Sequence, residues 1–314
     1  MIDEDMLLKI EKMNMEYIEL KNSEECKFGN DILTVKCLLK KGKIYSLIKK
    51  MLNRNRINKY NSHQQLENEY KYDYEKKNEN KRPKVVVYTC ITGKYDDLIE
   101  PLIKVENIDY IAFTDIPECN SNIWEKREIP KHIADCNNNI FINRYIKFHL
   151  KELFKNSEYE YAIYIDGNIK VISDLTDFVY GINDKTGLAI HRHQYRDCLY
   201  DEIEVCRLIK KGNYKKMKEQ KEKYKNEGFP KKFGLYECNV IVSDLKNENA
   251  REILDAWWDD FKNSESYRDQ VSLPYVIWKK KYKFNDIGSL GNNVYKNPKI
   301  RIEDHKMVGG AHVR

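Results

Sequence analysis

From residue 84 onward, apolar residues arrive in short unbroken runs separated by stretches of helical period, and this alternation predicts the fold. Val85-Val86-Val87-Tyr88-Thr89 and Tyr110-Ile111-Ala112-Phe113-Thr114 are continuous β-branched and aromatic runs, the form of strands covered on both faces. Residues 138–155 place Ile142, Tyr145, Ile146, Leu150 and Leu153 near helical spacing, and Tyr161-Ala162-Ile163-Tyr164-Ile165 is again a strand. Strand, crossover, strand, helix, strand predicts an α/β sheet with right-handed winding. Two further strands are expected at 187–191 and 238–242, separated by a Lys- and Glu-dense helical insertion over 197–232, and helices follow at 250–261 and 271–278.

The N-terminal part follows another pattern. Between Ile32 and Leu66 there is no acidic residue and there are nine Lys or Arg, while Val35, Leu38 and Leu39, then Ile44, Leu47, Ile48, Met51 and Leu52 repeat at helical spacing, interrupted at Gly42. A basic amphipathic helix lies on an anionic membrane surface, or docks its apolar stripe on its own domain or on a second subunit; docking is the preferred expectation. Residues 60–82 have no apolar period and read as a linker. The predicted division is therefore a basic helical arm with linker over 1–82 and an α/β domain over 83–314.

Composition narrows the class. Hydrophobic residues at 41% are globular, and charged residues at 34% exceed the usual share, so the excess belongs on solvated faces or in a peripheral segment. The net charge of +6 is the difference between 56 basic and 50 acidic side chains, mostly interleaved, which argues against nucleic acid as a partner. No apolar run reaches the roughly 20 residues that span a bilayer, and the N-terminus lacks signal-peptide features; the expected location is cytoplasmic, with peripheral contact on the inner face of the membrane left open. The eight cysteines show no spacing suggestive of zinc or a redox pair. Cys90 ends a strand beside a polar cluster and reads as packed or, alternatively, reactive.

Candidate chemistry collects where strands stop, which is where open α/β sheets bind ligands. Thr89 is followed by Gly93, Tyr95 and Asp96; Thr114 by Asp115; and Ile165 by Asp166, Gly167 and Asn168. Asp166 and the amide oxygen of Asn168, two residues apart, offer oxygen ligands to a hard divalent cation, and Gly167 lets a ligand approach the backbone. The same Asp-Gly-Asn is also ordinary hairpin turn chemistry. Together the three clusters describe a nucleotide-diphosphate site in which Asp115 takes a base or ribose hydrogen bond. Arg144 and Lys147 lie one helical turn apart and so reach one anionic group. His191, Arg192 and His193 end one strand, and Glu237 with Asn239 opens another; these are expected to face the cleft and bind donor or acceptor sugar.

In order, Thr89-Cys90-Ile91-Thr92-Gly93-Lys94-Tyr95-Asp96, Phe113-Thr114-Asp115, Asn143-Arg144 with Lys147, Tyr164-Ile165-Asp166-Gly167-Asn168 and Arg268-Asp269-Gln270 resemble the small glycosyltransferase-domain family found in bacterial surface-polysaccharide gene clusters and in plant Golgi proteins, related to the GT-A fold enzymes of family 8. The resemblance covers about residues 84–312. It implies a GT-A type mixed, mainly parallel sheet flanked by helices, and transfer of a sugar from a nucleotide-sugar donor to a glycan or lipid-linked glycan of the cell surface, with a Mn or Mg ion on the diphosphate. It also implies metal ligation by Asp166, Asn168 and a C-terminal histidine, His305 before His312, and donor contact by Arg144 and Lys147. It places Arg268, Asp269 and Gln270 at the transferred sugar, with Asp269 as the carboxylate at the reacting carbon. The family's usual second acid is Asn168 here, which removes a charge from the metal site. Two rival functions remain: a metal-dependent hydrolase built on the same Asp and His residues, and a noncatalytic glycan-binding or assembly subunit that keeps the fold and uses the basic arm for association.

Overall fold

The structure is a computed structural model, described for residues 4–40, 44–62, 82–116 and 121–305. Strand β1 (Val85–Ile91) is buried at every position, which is why its sequence shows no alternation. It pairs in parallel with β2 (Ile108–Thr114) on one side and β4 (Tyr161–Ile165) on the other, and β2 pairs in parallel with the short edge strand β3 (Trp124–Arg127). β4 then pairs antiparallel with β7 (Tyr236–Asp244), and β7 with β6 (Leu188–Arg192), which pairs in parallel with β8 (Gly288–Ser289). The sheet order is β3-β2-β1-β4-β7-β6-β8. This is the mixed, mainly parallel sheet that the sequence predicts.

Alternate residues feed two cores. Val86, Tyr88 and Cys90 face the layer containing helices α5 (Asn139–Phe148), α9 (Glu248–Ser264) and α10 (Asp269–Lys279), whereas Val85 and Val87 face a second cluster around Ile163, Leu175 and Phe178. Each such aliphatic side chain contributes about 1.5–3 kcal/mol by leaving water. Helix α5 starts where Asn138 accepts from the backbone N–H of Ile140 and Phe141, an N-cap, and it stops at His149, whose φ and ψ of −93° and 53° are not helical. The helix expected over 138–155 is therefore two pieces, with α6 (Leu150–Leu153) following the break. The 197–232 insertion is a helix pair, α7 (Leu199–Ile209) and α8 (Tyr214–Asn226), anchored by buried Met217 and Tyr224. Helix α4 (Lys131–Ala134) is a single turn.

The arm is helical and docked. Helices α1 (Glu4–Asn22), α2 (Glu24–Lys40) and α3 (Ile44–Asn58) precede the domain. Asn14 of α1 is buried against β9 (Ile300–Ile302), donating its amide to the carbonyls of Pro298 (2.8 Å) and Ile300 (3.1 Å) while Arg301 Nε donates to its Oδ1 (2.9 Å). Asn53 of α3 donates to the Leu208 carbonyl at the end of α7. Docking on the chain's own domain is thus observed. The start of the expected linker is also tied down, since the Ser62 N–H donates to the Tyr195 carbonyl and Arg196 donates to Asn61; the rest of that linker lies outside the described residues.

The hairpin alternative for Asp-Gly-Asn is not what forms. The chain does turn, with the Ile169 N–H donating to the Asp166 carbonyl, but β5 (Ile169–Val171) leaves the main sheet and pairs antiparallel with β9. Strands β3, β5, β8 and β9 have four residues or fewer, too short for periodicity to reveal.

Candidate active site

At the carboxyl ends of β1 and β4 the three predicted clusters meet. Asp115 is exposed and both its oxygens accept from the Gly93 N–H, at 3.1 and 2.9 Å, so it fixes the loop after β1. Gly93 has φ of +64°, and a Cβ there would lie 2.1 Å from Asn139 Nδ2; glycine is required. A Cβ on Gly167 would meet Ile91 at 2.8 Å, which draws the turn after β4 against the end of β1.

Asn168 and His305 line one cleft, with Asp96 bonded to His305 and Asp166 near enough to act on its charge. Tyr164 donates its hydroxyl to Asp166 Oδ1 (3.0 Å), and the Asp166 N–H donates to the Asn239 carbonyl (2.9 Å). Asn168 donates its side-chain amide to the Glu303 carbonyl (2.9 Å), and its main-chain carbonyl accepts from the Glu303 N–H (2.8 Å). His305 Nδ1 lies 2.8 Å from Asp96 Oδ2, and its ring is 5.2 Å from that of Tyr95. The Asp96 hydrogen bond, aided by the charge of Asp166, raises the His305 pKa above the ordinary imidazole value. Asp96 is thus the carboxylate that orients the ring and leaves Nε2 for another partner, the usual arrangement behind a metal-binding histidine. Asn239 adds a buried amide oxygen that has no hydrogen-bond partner among the described residues.

Among the described residues, no three His, Cys, Asp or Glu side chains form a group able to hold an ion by themselves. The carboxylate of Asp166, the amide oxygen of Asn168 and the imidazole of His305 are nevertheless donor types that a divalent cation takes when further oxygens come from a ligand. His312 lies outside the described residues.

The cleft, of about 500 Å³, is lined by Tyr95, Asn168, Gln194, Tyr195, Lys211, Tyr295, residues 301–305 and, from the arm, Tyr17, Ile18, Lys21 and Asn22. Lys211 comes from the insertion, just after α7, where Lys210 takes a left-handed conformation. Its ammonium pKa is lowered by neighbouring Arg268 first and by burial second. None of the arm residues, nor Lys211, Gln194 or Tyr295, carries a sequence signal; a charged insertion reads as a solvated face until its turn is seen to point inward.

Several side chains expected to contact ligand are instead buried or engaged within the protein. Thr89 is 1% exposed inside β1 and cannot reach a nucleotide. Lys147 is 1% exposed, bonded to Asp269 Oδ2 (2.7 Å) and to the Cys238 carbonyl, with its ammonium 4.8 Å from the Tyr164 ring centroid. It neutralises a core carboxylate and has no path to a phosphate. Asp269 itself is 3% exposed, with Arg144 Nε 3.1 Å from its other oxygen. Burial opposes its charge, yet Arg144, Lys147 and Arg268 hold its carboxyl far below the usual range. A carboxylate so enclosed serves as counter-ion to Arg144 and Lys147. Arg268 and Gln270 are likewise engaged: Arg268 donates to Gln270 Oε1 (2.6 Å), and Gln270 donates to the Tyr236 carbonyl (2.8 Å) and towards Glu237 Oε2 (3.4 Å). His191 is fully buried, bonded to Asn297 (3.0 Å), and burial lowers its pKa to about 3. It is a core histidine, packed against Phe178 on the face of β6 that Ala189 also occupies. Cys90 is buried and its thiol pKa is pushed up by that burial, so it is unreactive.

Glu237 is different. It sits beside His193 (Oε1 to Nε2, 3.3 Å) with 14% of its side chain exposed, and burial, then the charge of Glu202, raises its pKa from 4.5 to about 7. It is also the largest electrostatic influence on Tyr295 in the cleft lining. A carboxyl that exchanges a proton near neutrality is suited to acid–base work.

The TOD1/MUCI70 glycosyltransferase-like domain matches residues 60–296, well over half of the chain. The chain belongs to that family. As a TOD1/MUCI70 protein it carries the glycosyltransferase-like domain that its ordered motifs resemble, and the family's extent leaves α1 to α3 and β9 outside. No curated protein matches it. Among solved structures it is similar to the galactosyltransferase LgtC in complex with donor and acceptor sugar analogues (13% identity, TM-score 0.35, covering 65% of this chain and 72% of that one). It is also similar to the glycosyltransferase GlyE of Streptococcus pneumoniae (12%, 0.35, 67% and 45%) and to the bifunctional glycosyltransferase WbbM (10%, 0.35, 62% and 37%), spanning less than half of each of these two. Likeness at this level carries no information about chemistry. Among the described residues no helix is long and apolar enough to cross a membrane.

Proposed function

We propose that this TOD1/MUCI70 protein transfers a sugar from a nucleotide-diphosphate sugar to a hydroxyl of a surface glycan or lipid-linked glycan, in the manner of GT-A enzymes. The observation that carries the reading is that Asn168 and the Asp96-oriented His305 line one cleft, with Asp166 near enough to His305 to act on its charge. Asp166, Asn168 and His305 would hold Mn or Mg, which supplies charge neutralisation to the departing diphosphate. Asn168 in place of an acid weakens that hold. The loop after β1, tied by Asp115, borders the nucleotide, and Tyr95 offers a half-exposed ring for stacking.

In the reaction, the bond between the anomeric carbon and the diphosphate oxygen breaks with its electron pair leaving on the diphosphate. A bond to the acceptor oxygen forms, and the acceptor hydroxyl loses its proton. Glu237 is our candidate to receive that proton. Asp269 acts one layer below, where its charge holds Arg144, whose guanidinium also interacts electrostatically with Asp166.

The test is a thermal-shift and turnover panel of nucleotide sugars with and without Mn. One donor is expected to raise the melting temperature in a Mn-dependent way and to be hydrolysed slowly without acceptor. Asp166→Ala should abolish both effects, lowering turnover by at least about 10³-fold. Release of phosphate or amine from non-nucleotide substrates, with no response to any nucleotide sugar, would establish the hydrolase instead.

A further inference from the structure

The cleft has a wall that the glycosyltransferase-like domain does not supply. Helix α1 lies outside the matched region, yet Tyr17, Ile18, Lys21 and Asn22 border the same cavity as Asn168 and His305. Its seat is specific. Beyond the three hydrogen bonds of buried Asn14, Glu11 accepts from Ser173 (2.6 Å) and pairs with Lys299 (2.8 Å), with both members of that ion pair largely buried. Arg301 lies 3.9 Å over the Tyr17 ring, and Ile18 is 5% exposed. These contacts fix the last two turns of α1 over the cleft.

Lys21 is the cation that this wall presents. It is half-buried at the cleft, and among the described residues no carboxylate pairs with it. Lys211 also lines the cavity. Two ammonium groups bordering a cavity that Asn168 and His305 line as well make a setting for an extended polyanion.

Resting on the nucleotide-sugar reading above, we propose that Lys21 is a substrate-binding residue contributed by the arm, pairing with a phosphate of the donor diphosphate. The arm is then part of the enzyme's binding site, and truncating it would remove a ligand contact as well as a support.

The experiment uses the full chain with a panel of five nucleoside diphosphates and the matching nucleosides, in Mn, by calorimetry. Lys21→Glu is expected to weaken the preferred diphosphate by about tenfold or more with nucleoside binding unchanged, and Lys21→Arg is expected to retain wild-type affinity. Lys12→Glu, the same charge change at an exposed position of α1, should match wild type and so controls for net charge. Diphosphate affinity within twofold of wild type in Lys21→Glu overturns the assignment and leaves Lys21 as a helix-terminus cation. Equal loss for diphosphate and nucleoside, with a lowered melting temperature, also overturns it, because the helix has then undocked. A wild-type protein that binds no nucleoside diphosphate removes both this proposal and the reading beneath it.

Discussion

Two carboxylates, Asp166 and Asp269, both act on the Arg144 guanidinium and have opposite fates. Asp166 is half-buried at the end of β4 and takes one hydroxyl from Tyr164. Asp269 starts α10 in the core, enclosed by two cations and with its carbonyl accepting from Trp257 Nε1 (2.8 Å). An acid at a motif's centre is therefore not by itself an acid at the chemistry. One has coordination capacity to spare, whereas the other spends its charge neutralising Arg144 and Lys147.

The sharpest way to break this contrast is Asp269→Ala. Removing one partner of a buried ion cluster leaves Arg144 and Lys147 uncompensated, so denaturant unfolding should show a loss of about 3–5 kcal/mol, while Asp166→Ala, at a half-buried position, should stay within about 1 kcal/mol of wild type. Equal stability of the two variants would erase the distinction between support and site.

Glu237 gives the second test. Its folded pKa of about 7 lies above its unfolded value near 4.5, so the folded state binds the extra proton between those pH values. The sign is that of a raised group: stability is fully present below about pH 4.5 and is lost as pH rises through 7. Glu237→Gln should therefore be more stable than wild type at pH 8, by up to about 3 kcal/mol, with a flatter profile between pH 5 and 7. The same variant should lose transfer. A profile identical to wild type would show that Glu237 titrates normally.

The smallest effect is expected at Asp115. Asp115→Ala removes the acceptor for the Gly93 N–H at an exposed site and should cost about 1 kcal/mol or less, seen as a raised KM for donor with kcat nearly unchanged. A kcat loss without a KM change would move Asp115 from loop support to the reacting centre.

How much of this was legible beforehand depends on the length scale of the signal. Runs such as Val85-Val86-Val87 announce a doubly covered strand, and Asn168 and His305 line one cleft with Asp166 near enough to His305 to act on its charge. Lys147 and His191 are not legible because a polar residue on a helix or at a strand end looks identical whether it faces ligand or core; a buried partner, Asp269 or Asn297, decides each case. Glu237 was named as a binding residue, but its proton affinity depends on Glu202, far away in sequence. The arm's wall was invisible for the same reason: Asn14 and Arg301 are 287 positions apart.

That separation has a consequence for how the molecule comes together. Contacts between α1 and β9 span nearly the whole described chain, and closing so long a loop is slow relative to local structure. During refolding, the sheet's tyrosine and tryptophan signals should recover before the ability to capture nucleotide does, making catalytic competence the last property to return.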